Sequence, residues 1–530
     1  MLPQFSGKYS AQPSGFGLVR TRLSAIVIPL KDIQCLIKNI LNQRRNEVMN
    51  ILYVNAGHSG SLGLDGFLRA PPLALMYLSP TVPEHKRFLI DLKSNPMKEE
   101  AIHRMMAKSD LVAISSFTPS IKNAMYVASL AKQHNLPVVI GGYHASLIPE
   151  IIKDPTFDVA VRQEGEVTFP ELVKTLEKDG KWTPDNLKNI KGIAYRKERE
   201  MVLTDPRPLI ENLDTLPMPD RELIGDTRYE YLGCSVDSLE SSRGCVNNCS
   251  FCCVSVHCGR KWRRKSPERV VREIEQCSRK ARMITFQDSE YTIDMKRVRQ
   301  ICDLIIEHGL DQQWYSAQGR VDDIVKDVET VDRMVESGFR MLFIGIESAF
   351  QSSLDKIGKN LQHEKIKEAV KILHDRGVAI YGSIIIGNVG ETYEMVKKTA
   401  QYASDLEIDI TQFTALTPYP GTRLWDEAKE KGWIEDADWT HYDFVRPVMR
   451  TDLLTRLQIA ELVKNAYRDF YLPDMWGGFW WKRAPRFVKQ QNFHWFFKWL
   501  PGILQNTPAY FQFIKDISAP FKVEEFDKAS

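Results

Sequence analysis

Three cysteines, Cys245, Cys249 and Cys252, stand in the stretch SSRGCVNNCSFCCVSVHC with the spacing C-x3-C-x2-C. Thiolates this close together on a short loop can hold three irons of a four-iron, four-sulfur cluster and leave the fourth iron open to a small molecule. Gly244, just before the first thiol, permits the tight turn such a loop needs, and Phe251 sets an aromatic wall at its mouth. Zinc is the competing occupant, because structural zinc takes four ligands and Cys253 or Cys258 can supply a fourth thiolate. A disulfide framework does not suit a chain of 530 residues with nine cysteines and no secretory signal.

A loop of this kind needs a scaffold, and the chain offers two series of alternating strands and helices. The first runs over residues 49–200, with strands expected at 51–55, 87–91, 111–115, 137–140 and 158–161. Apolar strands separated by helix-length segments predict a doubly wound, Rossmann-like parallel sheet. Ligands of such sheets sit outside the carboxyl ends of the strands. Ser115, Ser116, Thr118, Gly141, Gly142, His144 and Glu164 cluster at those ends. No G-x-G-x-x-G follows the first strand, which argues against a dinucleotide.

Residues 201–237 read as a linker, extended by Pro206, Pro208, Pro217 and Pro219. The second series, residues 238–440, has strands expected at 238–242, 283–287, 313–318, 341–346, 379–386 and 410–416. Six repeats suit a partial (β/α)6 barrel of TIM type, with its chemistry at the strand C-termini. The cysteine loop follows the first of these strands, Asp288 the second and Arg320 the third. Glu347 and Ser348 end the fourth, and Gly387 ends the fifth. Each also has a structural reading: Asp288 can cap a helix, Glu347 can pair with a barrel cation, and the glycines can serve turns alone.

The two ends differ from this pattern. Residues 1–48 read as a disordered or leader segment, rich in Gly, Ser, Pro and Gln at the start. Residues 441–530 carry a run crowded with aromatics and studded with Lys and Arg, expected to form a helical cap on the barrel. The same composition suits a membrane surface or the wall of a greasy pocket. A net charge of +3 gives no support for a large phosphate-binding face, so no nucleic-acid partner is expected. No apolar run reaches the roughly 18 residues that span a bilayer, and the mostly isolated cysteines suit a reducing cytoplasm.

The cysteine loop, with the strand-end residues that follow it, resembles that of the radical S-adenosylmethionine (SAM) enzymes. The pattern "AISSFTPS … VVIGGYHASLIPE … VAVRQEGE" resembles the cobalamin-binding domain fused in front of one subgroup of them. The resemblance covers both strand–helix series and implies a [4Fe-4S] cluster on Cys245, Cys249 and Cys252, with SAM on its open iron. It implies that Phe251, Asp288, Arg320, Glu347, Ser348 and Gly387 bind SAM. Cobalamin would lie against Ser115, Ser116, Thr118, Gly141, Gly142, His144 and Glu164. Methyltransferase members often carry D-x-H-x-x-G after the first strand, with the His on cobalt. Here that loop is NAGHSGS, without the Asp or the spaced Gly. His58 is therefore read first as a loop residue and only second as a cobalt ligand. A second departure is Val389, where the family often has Pro.

The function implied is methylation of an unactivated carbon of a large, apolar substrate such as a lipid, hopanoid or tetrapyrrole. In the family a 5′-deoxyadenosyl radical removes a hydrogen, and the carbon radical takes a methyl group from cobalt. A flavodoxin or ferredoxin would supply electrons. The alternatives are a non-methylating cyclase or carbon–carbon coupling enzyme, like the anaerobic magnesium-protoporphyrin monomethyl ester cyclases, and a non-catalytic corrin-binding module. No catalytic side chain is singled out.

Overall fold

A computed structural model describes residues 48–57, 68–231, 234–277, 281–359, 361–477 and 507–519. His58 and nearly all of the 1–48 segment lie outside the described residues, as does most of the aromatic, basic run, residues 478–506. In chain order the strands are β1 (Asn50–Asn55), β2 (Leu68–Arg69), β3 (Lys86–Asp91), β4 (Leu111–Ser115), β5 (Val138–Gly141), β6 (Val159–Val161), β7 (Ile193–Lys197) and β8 (Glu200–Leu203). They continue with β9 (Glu230–Tyr231), β10 (Cys234–Leu239), β11 (Ser242–Arg243), β12 (Arg263–Arg264), β13 (Met283–Phe286), β14 (Trp314–Gly319), β15 (Phe339–Glu347), β16 (Ala379–Ile386) and β17 (Ile410–Ala415).

The first sheet has the order β3-β1-β4-β5-β6-β7-β8. Its first five strands are parallel, and helices cover both faces, so Ile51, Leu52, Tyr53 and Val54 of β1 are all fully buried. The expected five strands are present. The antiparallel β7–β8 hairpin on the far edge is an addition that the pattern did not disclose. Its two-residue turn is Glu198-Arg199, with Glu198 at a φ of +57° in place of the usual Asn or Gly, so the common hairpin signal is missing.

The second sheet has the order β17-β16-β15-β14-β13-β10-β9-β2. Its six strands from β10 to β17 are parallel and form the open, partial barrel, and β9 and β2 add an antiparallel edge. The first barrel strand is Cys234–Leu239, earlier than the expected 238–242. Ser241 and Ser242 leave the sheet because their polar groups turn toward Asp288, and Ser242-Arg243 pairs instead with Arg263-Arg264 as a small antiparallel stem.

Contacts across the two halves are buried and charged. Tyr77 donates to Glu273 at 2.5 Å, while Lys265 and Arg269 meet the same carboxylate at 2.9 and 2.7 Å. At the other end, the helix Arg456–Gly477 packs Tyr467, Phe470 and Tyr471 against the barrel, joined by Phe513 and Ile517. Thr411 N donates to Tyr471 Oη at 3.0 Å and Phe413 N to Tyr467 Oη at 3.2 Å. These hydroxyls satisfy N–H groups on the open edge of β17, which is where an unpaired strand is most exposed. Among the described residues no helix is long and apolar enough to cross a membrane.

Candidate active site

The cysteine loop is fixed at its base before any thiol is reached. Ser241 donates through N and Oγ to Asp288, both at 2.6 Å, and Ser242 Oγ donates to the same carboxylate at 2.5 Å. Arg297 donates to the Ser241 carbonyl at 2.8 Å. Burial raises the Asp288 carboxyl, and the two serines, with Arg297, work against that rise. Asp288, expected at SAM, therefore has both oxygens engaged by the loop base. Gly244 then turns at a φ of +91°, where an added Cβ would stand 2.0 Å from the Lys261 carbonyl oxygen. No other residue fits there.

The far side of the loop is tied to the barrel. Ser250 N donates to the Ile357 carbonyl at 2.8 Å, Leu424 N to the Ser250 carbonyl at 3.0 Å, and Arg423 to the Asn248 carbonyl at 2.5 Å. So held, Cys245, Cys249 and Cys252 line one cavity of about 660 Å³, together with Phe251. Burial pushes the Cys249 thiol up to about 11, opposed by the Lys359 ammonium. Burial also raises Cys245 and Cys252, opposed by backbone N–H groups of Asn247 at the one and of Val254 and Ser255 at the other. N–H donors and a nearby cation favour the thiolate form that iron takes. Among the described residues no three His, Cys, Asp or Glu side chains gather as the ligands of a single ion do. Three thiols lining one cavity fit a cluster whose irons each take one thiolate.

Carboxylates and cations complete the cavity walls. Glu347 ends β15 at a φ of +64°, just after the register slips between Gly345 and Glu347. Such strain in a non-glycine residue is found where the surroundings over-determine a functional position. Lys359 braces it, donating to Glu347 Oε1 at 2.7 Å and to the Gly345 carbonyl at 2.8 Å. Arg320 follows β14 and is held only loosely, 3.8 Å from Asp322 and 3.9 Å from Asp323. Glu290, in the loop after β13, accepts from Thr292 N and Oγ1 at 3.3 and 3.0 Å, and burial pushes its carboxyl up to about 8.

Glu290 and Lys359 were not among the expected residues. Glu290 had a signal, since it lies two places beyond Asp288 in the same strand-end loop. Lys359 had none, because only the tertiary fold brings it to Glu347. Ser348 and Gly387 do not line the cysteine cavity. Ser348 is fully buried and donates to Glu391 at 2.8 Å. Gly387 takes a φ of +82° with the Ile459 side chain 3.1 Å from where a Cβ would stand, so its small size makes room for the helix Arg456–Gly477.

In the first sheet, Ser115 and Gly141 sit side by side at the carboxyl ends of β4 and β5. β1 and β4 flank the point where the strand order reverses, the crevice in which such sheets take ligands. Phe117 is 59% exposed there and stacks on Tyr143 at 5.7 Å, an apolar ledge that fits a bulky ring system. The other expected residues are packed locally. Gly142, at a φ of +96°, lets the chain pass Ser116, whose carbonyl oxygen would lie 2.6 Å from a Cβ. Ser116 Oγ bonds to the Phe117 carbonyl at 2.9 Å and to Ser120 Oγ at 3.0 Å, and Thr118 is buried. His144 is 1% exposed with its ring edge toward Trp439, and burial pushes its imidazole down to about 4.

Glu164 departs furthest from expectation. Its Oε1 accepts from Arg243 at 2.9 Å and from Arg263 at 2.7 Å, and its Oε2 accepts from Ile210 N at 2.7 Å. Burial would raise this carboxyl, but Arg243, the Ile210 N–H and Arg263 hold it below the usual range. Both oxygens are occupied by protein.

Comparison with known proteins gives this geometry a family. Residues 239–403 match the model of the radical SAM superfamily, and residues 67–173 match that of the B12 binding domain. An uncharacterized methyltransferase of Pyrococcus horikoshii is 36% identical over 435 residues, 80% of this chain and 93% of the relative. The anaerobic magnesium-protoporphyrin IX monomethyl ester cyclase of Rubrivivax gelatinosus is 29% identical over 439 residues, 80% of this chain and 78% of the relative. Among solved structures, the cobalamin-dependent SAM radical enzyme OxsB, with aqua-cobalamin and SAM bound, shares the fold at a TM-score of 0.64. That match has 17% identity and covers 81% of this chain and 67% of the other. The chain belongs to the cobalamin-dependent radical SAM enzymes, whose cofactors are a [4Fe-4S] cluster, SAM and cobalamin.

Proposed function

We propose that this enzyme methylates an unactivated carbon of a large, apolar small molecule. The observation that carries this reading is a single cavity whose walls bring Cys245, Cys249 and Cys252 together with Glu347, Arg320 and Glu290. The three cysteines would hold the cluster. Glu347, braced by Lys359, and Arg320 would take the charged and ribose groups of SAM, beside Phe251. Ser115, Gly141 and the Phe117 ledge would meet the corrin. When bound, these cofactors supply radical formation and methyl donation, chemistry that no side chain offers.

The protein's own part is placement and protection. The Asp288–serine base and Gly244 hold the thiols in register. Burial raises the Glu290 carboxyl, and it gives up its proton more readily once a cation enters the cavity. Met341, Phe343 and Tyr231 give the same cavity apolar walls, which suit a greasy substrate and exclude water.

In this reading residues 49–200 carry the corrin, 201–237 link, 238–440 carry cluster and SAM, and the helix Arg456–Gly477 closes the barrel. A flavodoxin or ferredoxin would deliver electrons in the cytoplasm. The aromatic, basic composition of residues 478–506 suits peripheral contact with a lipid surface. The cyclase of Rubrivivax gelatinosus, alike over 80% of this chain, keeps a second reading open, in which a ring closes and no methyl moves. Reconstituted enzyme given SAM labelled with deuterium on its methyl, together with tetrapyrrole or hopanoid substrates, separates the two. Methylation puts the label in the product. A transformed product without label contradicts methylation and supports cyclisation or coupling.

A further inference from the structure

The two-stranded stem beneath the cysteine loop has an unfavourable feature. Arg243 and Arg263 stand directly opposite each other across it. Both are largely buried, and like charges at opposed positions of an antiparallel pair repel. One carboxylate oxygen, Glu164 Oε1, lies 2.9 Å from the first guanidinium and 2.7 Å from the second. It comes from the loop after β6, in the other half of the protein. Its neighbours strengthen the grip. Glu166 meets Arg243 at 2.5 Å, Gln163 donates to the His257 carbonyl at 3.2 Å, and the His257 ring stacks on Tyr143 at 4.4 Å. Arg243 lies two residues before Cys245, and His257 lies in the short helix Val254–Cys258 that follows Cys252. The loop is therefore clamped on both flanks by the first half of the chain.

We propose that Glu164 is a positioning residue for the cluster loop. Its bridge between Arg243 and Arg263 closes the stem and fixes the thiols, so that it governs how firmly the cluster is held and at what potential it works. The inference rests on the assignment of the cluster to Cys245, Cys249 and Cys252. It moves Glu164 from the corrin, where its sequence context placed it, to the iron–sulfur side of the enzyme. Glu166 and Glu240 also meet Arg243, but among the described carboxylates Glu164 alone is bonded to both arginines of the stem.

The test compares full-length wild type with Glu164→Gln, both reconstituted without oxygen with iron, sulfide and hydroxocobalamin. Three quantities are read: the rate at which a chelator removes iron, the midpoint potential of the cluster, and the affinity for hydroxocobalamin. Loss of a shared, charge-assisted bond should speed iron release by about tenfold. The potential should shift, and cobalamin affinity should stay as in wild type. Unchanged release and potential would overturn the proposal, as would lost cobalamin affinity with an unaltered cluster. If Glu164→Gln does not fold, Glu166→Gln, which touches Arg243 alone, should give a smaller increase in release, and no increase overturns the proposal. A wild type that holds no cluster contradicts the underlying assignment instead, so the two failures are distinguishable.

Discussion

The ammonium of Lys359 stands 2.7 Å from the Glu347 carboxylate and 2.8 Å from the Gly345 carbonyl, spanning the register slip that ends β15. One side chain therefore fixes both the carboxylate and the irregular backbone that presents it. Lys359→Met leaves Glu347 without its partner and frees the bulge. We expect SAM affinity to fall by about tenfold, the usual consequence of losing one charged hydrogen bond, and iron to be held less firmly, because the same ammonium favours the Cys249 thiolate. Titration of the reconstituted protein with SAM by calorimetry, beside an iron assay, checks both parts.

Gly244→Ala should be far more damaging than its size suggests. The left-handed backbone alone costs about 1–3 kcal/mol in a residue with a side chain, and the Lys261 carbonyl occupies the place of the new methyl group. We expect a lower melting temperature in the cluster-free protein and failure to retain iron after reconstitution. Thermal unfolding and iron analysis measure these separately.

His144 gives the protein an acid-sensitive element. Burial lowers its imidazole from 6.5 to about 4 in the folded state, so it stays neutral where the unfolded chain would be protonated. The stability it contributes is fully present above pH 6.5 and is lost as the pH falls toward 4. His144→Gln should flatten that part of the curve of melting temperature against pH and leave the curve above neutrality parallel to wild type.

Tyr467→Phe and Tyr471→Phe each remove a hydroxyl that satisfies an N–H on the outer edge of β17. Each should cost about 1–2 kcal/mol, visible as a lower denaturant midpoint with an unchanged slope. Neither should alter the SAM affinity, because the contact lies at the barrel edge away from the cysteine loop.

The parts of this site that were legible in the chain are those fixed by spacing. The C-x3-C-x2-C spacing on a turning loop keeps three thiols within reach of one another, and the alternation of apolar strands with helices dictates two largely parallel sheets. Gly244 was legible too, since a tight turn before the first thiol has few solutions. What sequence position does not disclose is where a side chain at a strand end points. Asp288 and Glu164 both lie at such ends, yet their partners come from Ser241 and from Arg243 and Arg263, far away along the chain. Gly142 and Gly387 were expected to make room for ligands, and they make room for Ser116 and Ile459. The β7–β8 hairpin leaves no turn signal in the sequence, because its turn, Glu198-Arg199, carries neither Asn nor Gly.

The most direct measurement is electron paramagnetic resonance of the reduced, anoxically reconstituted protein, before and after SAM, with iron and sulfide counted on the same sample. Three thiols on one cavity wall predict about four irons and four sulfides per chain, a signal whose g values shift when SAM is added, and the loss of both in Cys249→Ala. A full cluster whose signal ignores SAM, or a wild type that takes up no iron, would contradict the assignment.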